Sequence, residues 1–100
     1  MKGEINKLIH EPSRLKILVM LASSLDAAVP FTVIKDQLSL TAGNLSIQLK
    51  TLEEAGFISI QKEFVNNKPK TSVCITKDGK EGLFKYMTDL ENLLGKVSRT

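Results

Sequence analysis

The sequence predicts a mainly α domain with one β-hairpin, an α+β chain in which a helix pair precedes the hairpin and a long helix follows it. Three observations lead there. The run SLTAGNLSIQLKTLEEAGFI, residues 39–58, sets Leu45, Leu49 and Leu52 at helical spacing and stops at Gly56. The run FISIQKEFVNNKPKTSVCIT, residues 57–76, holds two strand-like segments around a turn of Asn, Asn and Pro. Beyond Asp78, Leu83, Met87, Leu90, Leu94 and Val97 recur at intervals of four and three, the spacing of a coiled-coil seam.

Each element follows from its own residues. Met1 to His10 puts Ile5, Leu8 and Ile9 on one side and predicts a short amphipathic helix. Pro12 suits the first turn of a second helix, expected to run from Pro12 to Ser24, because its missing N–H costs nothing there. Leu15, Leu18, Val19 and Ala22 form its core stripe, thickened by Ile17 and Leu21. Val29 to Phe31 fits a very short strand. Thr32 is an acceptable N-cap for a helix reaching Leu38, with Val33, Ile34 and Leu38 turned inward. After the turn SLTAG, Thr41 caps a helix from Ala42 to Ala55. Ile58, Ile60, Lys62 and Phe64 alternate with Phe57, Ser59, Gln61 and Glu63 as a strand, KTSVCIT makes its partner, and Asp78 to Lys96 closes the chain as a helix. Two short helices joined by a tight turn and followed by a hairpin describe a winged helix-turn-helix.

One hundred residues make one domain, residues 1–100, with residues 78–97 as a C-terminal dimerisation helix. Hydrophobic content of 42% and charged content of 25% describe a folded rather than a disordered chain. No apolar run approaches a membrane span, and the start MKGEINKLIHEP lacks a signal-peptide core, so the expected location is cytoplasmic. One Cys and one His exclude an intramolecular disulfide and a zinc site of the usual kind, so neither metal nor cofactor is expected. No phosphate loop, nucleophile elbow or paired His is present, and the chain is not expected to be an enzyme. Cys74 reads as a small hydrophobe in a strand, and His10 as a capping or interface residue. The net charge of +3 is modest, but it is local: from Gln61 to Lys80 five Lys stand against Glu63 and Asp78.

The face of the 42–55 helix opposite its leucines carries the sharpest signal. An ordinary surface helix would be laced with Glu and Lys pairs. This one presents Thr41, Ala42, Gly43, Asn44, Ser46, Ile47, Gln48, Lys50 and Thr51. Gly43 lets a phosphate or base edge approach the backbone, and the helix N-terminus favours anions. Asn44 and Gln48 are able to bond adenine bidentately, and Ile47 to touch a thymine methyl. Gln48 lies nearest the buried stripe. For a lone helix a solvated polar face would be the plainer reading; the hairpin that follows tips the balance to DNA. In the hairpin, Lys62, Asn66, Asn67, Lys68 and Lys70 suit phosphate contact, although Lys also serves to protect edge strands. Ile5, Leu8 and Ile9, with Leu83, Tyr86, Met87, Leu90, Leu94 and Val97, are expected to form a homodimer interface, the alternative being a helix folded back on its own domain.

The run LTAGNLSIQLKTLEEAGFI resembles the recognition-helix segment of winged-helix transcription regulators of the MarR and ArsR kind. KEFVNNKPKTSVCITKDGKEGL is similar to the wing of a small single-domain subgroup, in which a basic turn with Pro and Thr precedes an apolar strand and a Thr-x-x-Gly helix start. IHEPSRLKILVML resembles the family's second helix. The resemblance covers Leu8 to Leu94. It implies a dimeric repressor or activator with one recognition helix per subunit in successive major grooves of double-stranded DNA. Metal-sensing ArsR proteins carry clustered Cys or His ligands, and this chain does not, so metal sensing is not implied. A small-molecule effector, if the regulator uses one, is expected at the dimer seam. The rival is a winged helix used as a protein-interaction module within a transcription or repair assembly. DNA binding predicts that Lys50, Lys62, Lys68 and Lys70 share one face, whereas a protein module would expose an apolar patch around Ile47.

Overall fold

The chain runs α1 (Pro12–Ala22), β1 (Val29–Pro30), α2 (Phe31–Gln37), α3 (Ala42–Glu54), β2 (Ile58–Val65), β3 (Lys68–Ile75) and α4 (Lys77–Val97) in a computed structural model that describes residues 5–25 and 27–97. The three strands form one antiparallel sheet in the order β1-β3-β2, with Val29 opposite Val73 and Ile58 opposite Ile75. Helix α1 packs between the sheet, α3 and α4. Ile17, Leu18, Ile34, Leu45, Leu52 and Val73 are fully buried there. Among the described residues no helix is long and apolar enough to cross a membrane.

The N-terminal segment departs from the expected helix. Met1 to Glu4 lie outside the described residues, and residues 7–10 form a single turn. Asn6 is the reason: its Oδ1 accepts from the N–H groups of Leu8 (2.9 Å) and Ile9 (3.2 Å), which caps one turn. Glu11 is then extended, as a residue before proline prefers, and its carboxylate accepts from Arg14 N at 2.8 Å to cap α1. Helix α1 ends at Ala22 rather than Ser24. The hydroxyls of Ser23 and Ser24 donate to the carbonyls of Val19 (2.8 Å) and Met20 (2.9 Å) and draw the chain out of the helix. Val19, expected in the core, is half exposed. Ile17, Leu18 and Leu21 make the buried face instead.

Thr32 does not cap α2. Strand β1 leads straight into the helix, Pro30 is its N-cap without a side-chain bond, and Phe31 is already helical. Thr41 does cap α3, accepting from Asn44 N at 3.1 Å, and Gly56 ends it at φ +80°, a conformation costly for any other residue. The first strand lies where its alternation put it, while the second begins two residues early, at Lys68, so the turn is Asn66–Asn67 rather than NNKP. The ladder runs from Ile58↔Ile75 to Val65↔Lys68, and Asn66 and Asn67 both take positive φ, the two-residue turn whose twist matches the strands. Residues 61–70 are all exposed, so this part projects as a wing.

The base of the wing is locked to α4. Thr76 donates its hydroxyl to Gly56 O (2.6 Å) and accepts from Gly79 N (3.0 Å), which caps the helix. Gly79 lies against the Phe57 carbonyl and within 2.8 Å, measured from an ideal Cβ, of Ile75 Cγ1. That closeness explains the Thr-x-x-Gly start: a methyl group there has no room.

Candidate nucleic-acid interface

Helix α3 has two unlike faces because its apolar residues fall on one stripe. Leu45, Leu49 and Leu52 are buried; Thr41, Ala42, Gly43, Ser46, Ile47 and Lys50 are exposed; Asn44, Gln48 and Thr51 are intermediate. A side chain at Gly43 would meet nothing of this chain within 4 Å, so its own packing does not require glycine there. Ile47 is 65% exposed, with polar or small neighbours on both sides. Thr51 turns its hydroxyl inward onto Ile47 O at 3.2 Å.

Two hollows separate α3 and α2 from the wing. The first, about 500 Å³, is lined by Ser46, Leu49, Lys50 and Glu53 of α3, Phe31, and Ile60, Lys62 and Thr71 of the hairpin. The second, about 460 Å³, is lined by Pro30, Phe31 and Thr32 against Val65, Lys68, Pro69, Lys70 and Thr71. Phe31 and Thr71 border both, so the two are neighbours. Lys50 and Lys62 line the first hollow and Lys68 and Lys70 the second, so the four lysines do not share the one face expected of them. Cross-strand partners share a face, so Lys62 with Thr71 faces α3, whereas Lys68 and Lys70 lie with Val65 and Glu63 on the other side. Among the described residues none of the four is held in an ion pair.

Gln48 is not an open reading group. Its Oε1 accepts from Arg14 Nη1 at 2.8 Å, and its Nε2 donates to Asn44 Oδ1 at 3.0 Å. Arg14 was not among the expected site residues. No local pattern marks a contact between positions 34 apart in the chain.

The residues expected at a dimer surface divide. Ile9, Leu83 and Tyr86 are buried in the chain's own core, and Ile5, Leu8 and Leu90 are half-buried against it. They present little area to a partner. Met87, Leu94 and Val97 are exposed, the last at 71%, and Leu93 and Phe84 join them. His10 does meet α4: its Nδ1 is 2.7 Å from Tyr86 Oη. Cys74 is half-buried in β3 rather than fully inside.

A helix-turn-helix whose second helix opens onto a basic hairpin defines a winged-helix DNA-binding protein. Residues 13–94 match the family model of the winged helix DNA-binding domain, and the chain belongs to that family. It is 33% identical over 87 residues to an uncharacterised protein of Methanocaldococcus jannaschii, a match spanning 87% of this chain and 92% of that one. Among solved structures it resembles a transcriptional regulator homologue from Pyrococcus horikoshii, with a TM-score of 0.81, 29% identity, and 90% and 87% of the two chains covered. The heme sensor PefR of Streptococcus agalactiae shares the fold at a TM-score of 0.77 and 18% identity, over 98% of this chain and 65% of that one. The likeness to regulators of the MarR and ArsR kind read from residues 40–58 and 62–83 therefore holds: this is a small winged-helix protein of the DNA-binding transcription-regulator class.

Proposed function

We propose that the chain is a cytoplasmic homodimer that binds a specific double-stranded DNA sequence and regulates transcription, performing no chemistry of its own. The observation that carries this reading is the open face of α3. Its N-terminal turn is exposed, Gly43 leaves its backbone approachable, and Lys50 lies in one hollow with Lys62 of the wing. In this reading α3 enters the major groove while Lys62, Lys68 and Lys70 grip flanking phosphates. Asn66 and Asn67 shape the turn that carries the lysines, because both hold positive φ. The lone exposed Ile47 makes no patch, which disfavours the protein-interaction module.

The dimer rests on α4. Leu83 and Tyr86 bury one end of its apolar stripe, and Met87, Leu90, Leu93, Leu94 and Val97 continue that stripe beyond the domain body. Along that exposed part Met87 and Leu93 are each 46% exposed and Leu94 56%. A hollow of about 480 Å³ lined by Ile5, Asn6, Lys7, Gly82, Lys85, Tyr86 and Asp89 adjoins this helix, and a small-molecule effector would act there.

The test is fluorescence anisotropy with the protein's own upstream DNA and a scrambled duplex, each at two salt concentrations. Tight, salt-dependent binding that prefers the upstream DNA is expected. Absence of binding to either duplex at low salt refutes the reading.

A further inference from the structure

Arg14 sits on α1, outside the recognition helix, yet its guanidinium is tied into that helix's reading face. Nε donates to Leu8 O at 2.6 Å and Nη1 donates to Gln48 Oε1 at 2.8 Å. Arginine has donors only, so the amide of Gln48 has one orientation: oxygen toward Arg14, nitrogen away. That nitrogen meets Asn44 Oδ1 at 3.0 Å, so the amide of Asn44 is oriented in turn. Its oxygen is turned along the helix to Gln48, and its NH₂ is left as the edge available to a partner. The backbone at Asn44 is held as well, through the Thr41 cap.

We propose that Arg14 is a positioning residue that sets the hydrogen-bond polarity of the DNA-reading face, so that Asn44 acts as a donor toward guanine O6 and N7. Bidentate adenine recognition needs the amide oxygen and nitrogen of one side chain pointing outward together. The relay withholds the oxygen of Asn44 and both ends of Gln48 from that role. Guanine presents two acceptors in the major groove and suits a donor edge. The inference rests on the DNA-binding reading above and adds which base that face selects.

The experiment is selection of tight binders from a randomised duplex library by the full chain, by Arg14→Met, by Gln48→Glu and by Asn44→Ala, followed by sequencing of the enriched pools. Gln48→Glu still accepts from Arg14, so the tie between the helices survives, but it no longer donates to Asn44. It tests the relay even where Arg14→Met melts. The wild-type motif should contain a guanine in each half-site whose preference Asn44→Ala abolishes. Gln48→Glu, and Arg14→Met where thermal melting shows it folded, should lower that preference about tenfold or pass it to adenine. Because preferences are ratios, the uniform affinity change from an altered charge cancels. The same guanine preference in the folded variants overturns the relay and leaves DNA reading intact, as does an Asn44→Ala variant weakened equally on all sequences. A wild-type pool with no enriched motif overturns sequence-specific reading and this inference with it.

Discussion

The ladder of the wing makes the two flanking lysines unequal, and salt dependence measures the difference. Lys62 stands opposite Thr71 on the side of the hairpin that faces α3, in the hollow that also holds Lys50. Lys70 stands opposite Glu63 on the other side. A lysine that neutralises one phosphate contributes a slope of about 0.9 in log affinity against log salt. In a dimer the Lys62→Ala variant removes it twice, about 1.8 units. Over a fourfold rise in salt, from about 50 to about 200 mM, the loss of affinity should be about twelvefold smaller than for the wild type. Lys70→Ala should change the slope by less, because Lys70 lies on the side of the hairpin turned away from α3. Anisotropy titrations at four or more salt concentrations give both slopes. Equal slopes for the two variants, or a larger effect at Lys70, would falsify the placement of the α3 side of the hairpin against the backbone.

Three other outcomes follow from the same geometry. Glu53 lines the hollow with Lys50 and Lys62, so Glu53→Gln should remove a repulsion and raise affinity about twofold per chain near 0.1 M salt, read by the same titration. Leu94→Glu with Val97→Glu puts charge on the exposed end of the α4 stripe; sedimentation should show a monomer whose melting temperature is little changed apart from the lost dimer contribution, and an unchanged dimer would remove α4 from the interface. Gly79→Ala forces a methyl against the Phe57 carbonyl at the base of the wing and should cost about 2 kcal/mol, a fall of roughly 10 °C in melting temperature.

Local chemistry made much of this fold legible. Thr41, Gly56 and the spacing of Leu45, Leu49 and Leu52 act within α3 itself, and its boundaries came out within a residue. The wing was harder. Alternation reports burial, and residues 61–70 are all exposed, so the strand there is held by its ladder and the Asn66–Asn67 turn rather than by a buried face. The expected N-terminal helix failed for a different reason. Ile5, Leu8 and Ile9 do pack inward, but Asn6 and the proline two places past His10 allow only one turn. At the reading face, the sequence showed which side chains are polar but not which are already satisfied. Gln48 looked available because its partner Arg14 comes from another helix.

The same limit governs α4, where one periodic stripe serves two surfaces. Its intervals of four and three are uninterrupted from Leu83 to Val97, so periodicity alone assigned all of it to one interface. In the fold the domain body buries the start of the helix stripe and not its end. The molecule extends 59 Å along one axis but only 25 and 22 Å along the others, and the body covers the stripe at Leu83 and Tyr86 but leaves Leu94 and Val97 bare. A stripe that continues at unchanged spacing past the edge of its own core is costly to leave in water, and a second copy of the same helix end is complementary to it by symmetry. Tyr86 sits where the two surfaces meet, with its hydroxyl on His10. The N-terminal turn that carries His10 also carries Leu8, whose carbonyl holds Arg14. A partner or ligand that moved this turn would therefore act on the Arg14–Gln48–Asn44 relay, so the proposed α4 dimer would have a physical route to α3.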